Sequence, residues 1–162
     1  MVRSLPPLTE EKIYQLLATI EDPELAPVTM AELGMIAGVR IEENKVLVQL
    51  LPTYVGCPAF TMLAHEVEHV LKPVVGERWI QVVMAHDPPW SSQRITAEGR
   101  RKLVALGIAP PPLAHEPGAE WLPPCPFCGS AHTRRENHFG STACRSLFYC
   151  YGCNNPFEGM KP

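Results

Sequence analysis

Apolar residues in the first hundred positions recur with a helical period at two places. After Thr9, a suitable N-cap, they stand at i, i+3, i+4 and i+7, which predicts an amphipathic helix that ends before Pro23. A second such segment follows Thr96, and Gly107 is placed to end it. The residues expected to face a core are Ile13, Leu16, Leu17 and Ile20 in the first helix and Leu103 and Leu106 in the last.

Strand patterns lie between these helices. Residues 36–41 and 45–51 alternate partly between apolar and polar side chains, and the polar pair 43–44 between them predicts a hairpin. Residues 79–84 form a third strand pattern after a central helix. The first part of the chain is therefore predicted to be α+β, with a small mixed sheet packed with three helices.

Prolines punctuate the chain after the last helix. They cluster in 110–112 and at 117, 123 and 124, a density that favours extended polyproline conformation over helix or central strand. We predict a domain at 1–108, a proline-rich linker at 109–121 that spaces two folded units, and a second domain at 122–162. So small a domain cannot bury an adequate core by itself, and metals commonly supply the missing stability.

Composition restricts the classes of function. The 162 residues include 14 Lys and Arg against 17 Asp and Glu, and the pI is about 6.1, which does not favour nucleic acid as a partner. The sequence contains no apolar run near the ~20 residues that a membrane span needs. Residues 1–7 carry one arginine, no apolar core and two prolines, unlike a secretory signal, so we expect a cytoplasmic protein.

Four cysteines form two short pairs in the second domain. Two residues separate the members of each pair, a spacing at which a tight turn directs both thiolates at one ion. We predict a structural zinc site made by Cys125, Cys128, Cys150 and Cys153, which makes this domain a zinc ribbon. The alternatives are a disulfide, a redox-active pair, or replacement of one ligand by Cys144, His132 or His138.

One cysteine stands apart from these pairs, at the junction of the second strand and the central helix. Pro58 favours the first position of a helix, which places Cys57 near the N-cap, where the helix dipole stabilises an anion. A thiolate there should titrate below its usual range, so Cys57 is a candidate soft-metal ligand or reactive thiol. The alternative is a small buried side chain that only closes the turn.

The central helix contains H-E-x-x-H, the zinc-metalloprotease signature, at His65 to His69. At ~100° per residue the two histidines lie roughly opposite the apolar face, so we expect them to point into solvent and not to hold a catalytic zinc. The residues of that apolar face are Phe60, Leu63, Val67 and Leu71.

A series of ordered motifs indicates a family. Those at 22–24, 32–35, 53–58 and 88–90 resemble the iron–sulfur-assembly domain family typified by SufT. Further motifs lie in the last helix, the proline segment and the ribbon. Together with them, residues 9–158 resemble the PaaD family, whose members are a component of the phenylacetyl-CoA epoxidase system. The end at 158–162 departs from that family, because it lacks a longer aromatic and cysteine-bearing tail.

The resemblance implies an accessory protein and not an enzyme. Its role would be maturation of the iron–sulfur or metal centres of the multicomponent ring epoxidase in phenylacetate degradation, and its partners the oxygenase and the flavin and [2Fe–2S] reductase subunits. Cys57 would hold or hand over iron or a transient cluster, with Asp22 and Glu24 as oxygen partners, although Asp-Pro also makes an ordinary turn. The alternative is an adaptor that binds those subunits without handling a cluster, through Trp90 and Trp121 unless these are buried anchors. A homo-oligomer is left open.

Overall fold

The structure, a computed structural model, describes residues 7–162, so nearly all of the N-terminal segment considered for a secretory signal lies outside it. Three α-helices and seven strands follow one another along these described residues. The helices are α1 (Glu10–Leu17), α2 (Phe60–Leu71) and α3 (Ala97–Ala105). The strands are β1 (Ile36–Ile41), β2 (Lys45–Leu50), β3 (Trp79–Met84), β4 (Ile108–Ala109), β5 (Thr133–Asn137), β6 (Arg145–Cys150) and β7 (Asn155–Met160).

The first sheet has the order β1-β2-β3 and is mixed, as predicted. β1 and β2 form the expected antiparallel hairpin, and β3 returns parallel to β2 after the α2 crossover. Alternate residues of β2 are buried on one face of the sheet against the helices: Val46, Val48 and Leu50. The α+β class predicted from the sequence is confirmed.

Helix α1 begins where expected but ends early. The Thr9 hydroxyl accepts a hydrogen bond from the backbone N–H of Lys12 at 3.2 Å, which is the predicted N-cap. The helix ends at Leu17. The chain turns there, and the carbonyl of Ile20 accepts a hydrogen bond from the backbone N–H of Met30 instead of from a residue of the helix. Ile20 is buried from a loop, so the prediction that it belongs to the helix is wrong, although its place in the core is correct.

Helix α3 also begins as predicted, with the Thr96 hydroxyl accepting from the N–H of Gly99 at 3.0 Å. Gly107 ends it with a φ of +75°, a conformation that favours glycine. Leu103 is fully buried, but Leu106 is 41% exposed, and the prediction that it faces inward is wrong. Three residues advance ~300° around a helix, so Leu106 lies at the edge of the buried face, ~60° from Leu103.

The ribbon sheet has the order β4-β7-β6-β5, and its first strand crosses the predicted boundary between the first domain and the linker. β4 leaves α3 and pairs in parallel with β7. The next residues are held against α3 and the turn before it, because Arg100 donates to the carbonyl of Pro111 and the Ser92 hydroxyl donates to that of Pro112 at 2.9 Å. The prediction that 109–121 spaces two separate units is therefore wrong, while the boundaries themselves stay a prediction.

The two halves of the chain share a core. Met160, near the end of β7, is 1% exposed and belongs to the same buried cluster as Ile13, Leu63 and Leu103. A smaller cluster lies under the ribbon sheet, where Phe148 is central. The remaining members of that smaller cluster are Ala109, Cys125, Cys150 and Phe157.

The two tryptophans considered as partner contacts are anchors. Trp90 donates from Nε1 to the carbonyl of Leu33 at 2.7 Å, and Trp121 packs edge-on against Phe148 with ring centroids 5.5 Å apart. Both side chains are partly buried, which favours the anchor alternative over an exposed contact surface. Within residues 7–162, no helix has the length and apolar character needed to cross a membrane.

Candidate functional site

The four paired cysteines converge on one point of the ribbon. Cys125 and Cys128 lie in the turn before β5, Cys150 is the last residue of β6, and Cys153 lies in the turn that leads to β7. All four sulfurs lie within 4.8 Å of one another. The structure therefore brings together the group that the spacing predicted.

The geometry of this thiol cluster fits zinc. A tetrahedral ion with Zn–S bonds of about 2.3 Å separates its sulfurs by about 3.8 Å. The observed separations are 3.7 Å between Cys125 and Cys153 and 3.5 Å between Cys128 and Cys150. Backbone N–H groups of Ser130 donate to Cys128, and those of the second turn donate to Cys150, which stabilises thiolates as metal ligands. These residues would hold a structural zinc that cross-links the two turns.

Cys144 lies far from this cluster. It immediately precedes β6, whereas Cys150 ends that strand, and six residues of strand span about 20 Å. The alternative in which Cys144 replaces a zinc ligand is wrong, because β6 separates the two positions. Its sulfur instead contacts the Thr142 hydroxyl at 3.2 Å, and its carbonyl accepts from the N–H of Lys161 at 2.9 Å.

Cys57 lies in the loop between β2 and α2, half-buried, but not at the N-terminus of the helix. Helix α2 begins at Phe60, and the residue before it, Ala59, has helical backbone angles and no side-chain cap. A separate turn forms first, in which the N–H of Cys57 donates to the carbonyl of Tyr54 at 3.1 Å. The prediction that Pro58 opens the helix is wrong, and Cys57 does not occupy the N-cap.

The predicted lowering of the thiol pKa is also wrong. Burial raises the pKa of Cys57 above its ordinary value, and a hydrogen bond from the backbone of Ala59 only partly offsets this. The Cys144 thiol and the carboxyl groups of Asp22 and Glu24 raise it further, because negative charge on each opposes a second negative charge. Cys57 is therefore a protonated thiol at neutral pH, surrounded by groups that favour binding of a cation.

Asp22 and Glu24 lie in one turn after α1. The Asp22 carboxylate accepts a hydrogen bond from the N–H of Glu24 at 2.9 Å, and the Asp22 carbonyl accepts one from Leu25. The alternative of an ordinary turn is thus correct for the backbone. Asp22 is nevertheless buried, and burial raises the pKa of its carboxyl group, although Arg145 of the ribbon lowers it in part. Both acids raise the pKa of the Cys57 thiol, and their role as its oxygen partners stays a prediction.

The histidines of H-E-x-x-H are exposed, as predicted, and the opposite face of α2 is buried through Leu63, Val67 and Leu71. His65 borders a surface groove of about 550 Å³ together with Asp22, whereas His69 does not. Among the described residues, neither histidine joins two further metal-ligating side chains at ligand distance. The arrangement does not form a metalloprotease centre.

Two basic residues of the ribbon that sequence reasoning missed, Lys161 and Arg145, interact with groups of the first domain near Cys57. The Lys161 ammonium lies 5.4 Å from the ring centre of Tyr54 and donates to the carbonyl of Ala143 at 2.7 Å. Arg145 is buried and pairs with Glu158 at 2.8 Å. No sequence pattern marks such contacts, because they depend on how the ribbon packs against the first domain.

Comparison with known proteins matches two families to successive parts of the chain. Residues 10–82 match the family described as iron–sulfur cluster assembly protein, and residues 109–161 match the PaaD zinc beta ribbon domain. A crystal structure of domain of unknown function DUF59 from Bacillus anthracis aligns with a TM-score of 0.51 at 34% identity, over 60% of this chain and 91% of that one.

Two bacterial relatives carry functional names. A protein of Escherichia coli K12, named as one subunit of a "Putative 1,2-phenylacetyl-CoA epoxidase", is 38% identical over 159 residues, which is 96% of this chain and 94% of that protein. A protein of Porphyromonas gingivalis named "Fe-S protein maturation auxiliary factor" is 29% identical over 60% of this chain and 93% of its own length. With an iron–sulfur-assembly domain, a four-cysteine ribbon and this near full-length likeness, the chain belongs to the PaaD family.

Proposed function

We propose that this chain is a non-catalytic accessory protein that matures iron–sulfur or metal centres of a multicomponent phenylacetyl-CoA ring epoxidase. The placement of Cys57 supports the proposal: it is a half-buried thiol on which two carboxyl groups act electrostatically, in the domain that matches iron–sulfur assembly proteins. The name of the Escherichia coli relative supports the choice of client, and that of the Porphyromonas gingivalis relative supports the maturation role.

The chemistry of Cys57 suits transient handling of iron. A raised pKa keeps the thiol protonated and weakly nucleophilic while the site is free, which protects it from oxidation and alkylation. A bound iron species would displace the thiol proton, since the thiolate is the ligand form, and Asp22 and Glu24, which act electrostatically on this thiol, would accept the proton or add oxygen ligands. Binding that must first release a proton is weaker and more easily reversed, as transfer to a client requires.

The zinc cluster has a structural role in this proposal. Its four sulfurs complete a tetrahedral set, and a closed S4 site leaves no open position for substrate. Partners are the oxygenase and reductase subunits, and nucleic acid is disfavoured by a net charge of -3. The cytoplasmic location expected from the sequence stays a prediction.

The proposal is tested by Cys57→Ser in cells that express the epoxidase components. We expect the purified reductase to lose most of its [2Fe–2S] content, measured as iron and sulfide per chain, with ring epoxidation falling in parallel. His69→Ala is the matched control, because it removes an exposed potential ligand from α2 that does not border Asp22. Unchanged cluster content with Cys57→Ser, in a chain that keeps its zinc, refutes the maturation role.

An adaptor that handles no cluster is the second candidate. Exposed apolar side chains favour it, with Val55 82% exposed two residues from Cys57 and Phe139 58% exposed on the ribbon. In that case Val55→Asp abolishes copurification of the epoxidase subunits, while Cys57→Ser leaves both copurification and cluster content unchanged. The maturation role predicts a different result for Cys57→Ser: the epoxidase subunits still copurify with the chain, but the reductase loses its [2Fe–2S] cluster.

A further inference from the structure

We propose that Cys57 of the first domain and Cys144 of the ribbon form one composite binding site for a thiophilic iron species, with Asp22 and Glu24 at its edge. The inference rests on the proposed maturation role and deepens it, because it assigns a ligand from the second domain. Cys144 is neither a zinc ligand nor part of a buried core cluster of the ribbon, and its thiol lies near enough to Cys57 to act electrostatically on it.

Lys161 brings the two cysteine-bearing loops together. Its backbone N–H donates to the carbonyl of Cys144 at 2.9 Å, and its ammonium donates to the carbonyl of Ala143 at 2.7 Å. The same ammonium lies 5.4 Å from the ring centre of Tyr54, the residue that closes the turn of Cys57. One side chain thus contacts both loops, so their relative position is set by direct interactions.

The ribbon is fixed in this position by buried contacts next to Cys144. Met160, adjacent to Lys161, packs in the core of the first domain. Arg145, adjacent to Cys144, is buried, and its guanidinium pairs with Glu158 at 2.8 Å and donates to the Thr142 hydroxyl at 2.8 Å. Such contacts fix the position of Cys144 relative to the first domain.

The donor set suits iron. Two thiols supply soft ligands, and carboxylates supply hard oxygen ligands, a mixture that matches ferrous iron or a small iron–sulfur cluster better than a hard cation such as Mg²⁺. Binding of Fe²⁺ by two thiols releases two protons and leaves a neutral pair of thiolates and metal. This site is separate from the zinc cluster, since β6 lies between Cys144 and Cys150.

The test uses the zinc-loaded full chain under anaerobic conditions. Fe²⁺ is added alone in one arm and with sulfide in the other, and iron and zinc per chain are measured after desalting, together with the absorbance of thiolate-to-iron charge transfer. We expect Cys57→Ser and Cys144→Ser each to weaken iron retention by at least about tenfold, since even changes outside the ligand shell cost ~10–100-fold. Zinc should stay at one per chain, and His69→Ala should bind iron as the wild type does.

The two arms identify the cargo, because retention only with sulfide indicates a cluster, and retention without it indicates ferrous iron. If Cys144→Ser retains as much iron as the wild type while Cys57→Ser does not, the composite site is refuted and the maturation role is unaffected. If neither Cys57→Ser nor Cys144→Ser weakens iron retention, both the composite site and the maturation role are refuted. Loss of zinc from both Cys144→Ser and Cys144→Ala also overturns the inference, since it would make Cys144 part of the ribbon's metal site.

Discussion

The packing of Met160 predicts that the ribbon and the first domain unfold together. Met160 belongs to the ribbon strand β7, but its side chain is 1% exposed and lies in the core of the first domain. Met→Ala at a buried position costs about 2–5 kcal/mol, through the lost transfer free energy and the cavity that remains. For a chain of this length the change corresponds to a fall in Tm of roughly 4–20 °C.

Met62 offers a matched control, since it is 58% exposed on helix α2, where alanine is the most favourable residue. Met62→Ala should change the free energy of unfolding by no more than about 0.5 kcal/mol. Met160→Leu, which keeps the side-chain volume, should cost less than about 1.5 kcal/mol.

Two probes distinguish joint from separate unfolding of the zinc-loaded chain in guanidinium. Tryptophan fluorescence reports on both halves, because Trp79 and Trp90 lie in the first domain and Trp121 packs in the ribbon. Zinc release to a chromophoric chelator reports on the ribbon alone. We expect Met160→Ala to shift both transitions by the same amount. A loss below about 1 kcal/mol, or a shift confined to zinc release, would refute the shared core.

Two further predictions concern the metal and a buried acid. Cys128→Ser, or chelation of zinc, should remove the strand signal of the ribbon in far-UV circular dichroism, because two of the five buried residues of its own core are metal ligands; an unchanged spectrum without zinc would contradict this. Asp22→Asn should stabilise the chain at pH 7, because burial raises the pKa of Asp22 and the folded state therefore disfavours the ionised form. That gain in stability should shrink as the pH falls towards 3.8, the ordinary pKa of an aspartate. Denaturant unfolding at several pH values measures it, and a gain that does not change with pH would contradict the prediction.

The features that could be predicted from the sequence depend on residues that lie close together along the chain. The caps of α1 and α3, the β1–β2 hairpin and the glycine that ends α3 depend on side chains within a few residues of one another. The four zinc cysteines were recognisable for the same reason, since each turn needs only two residues between its thiols. The start of α2 was missed because the turn at Cys57 competes with the helix for the same backbone groups.

The sequence by itself determined the order of helices and strands in the first domain, the metal cluster and the family, because each is specified by short spacings or by ordered motifs. Only the tertiary structure decided the environment of Cys57. Its pKa rises because burial and the charges of Asp22, Glu24 and Cys144 outweigh one backbone hydrogen bond, and these groups are separated along the chain. The ribbon reaches Cys57 through Met160, Lys161 and the β4–β7 pairing, contacts between segments far apart that no local pattern encodes.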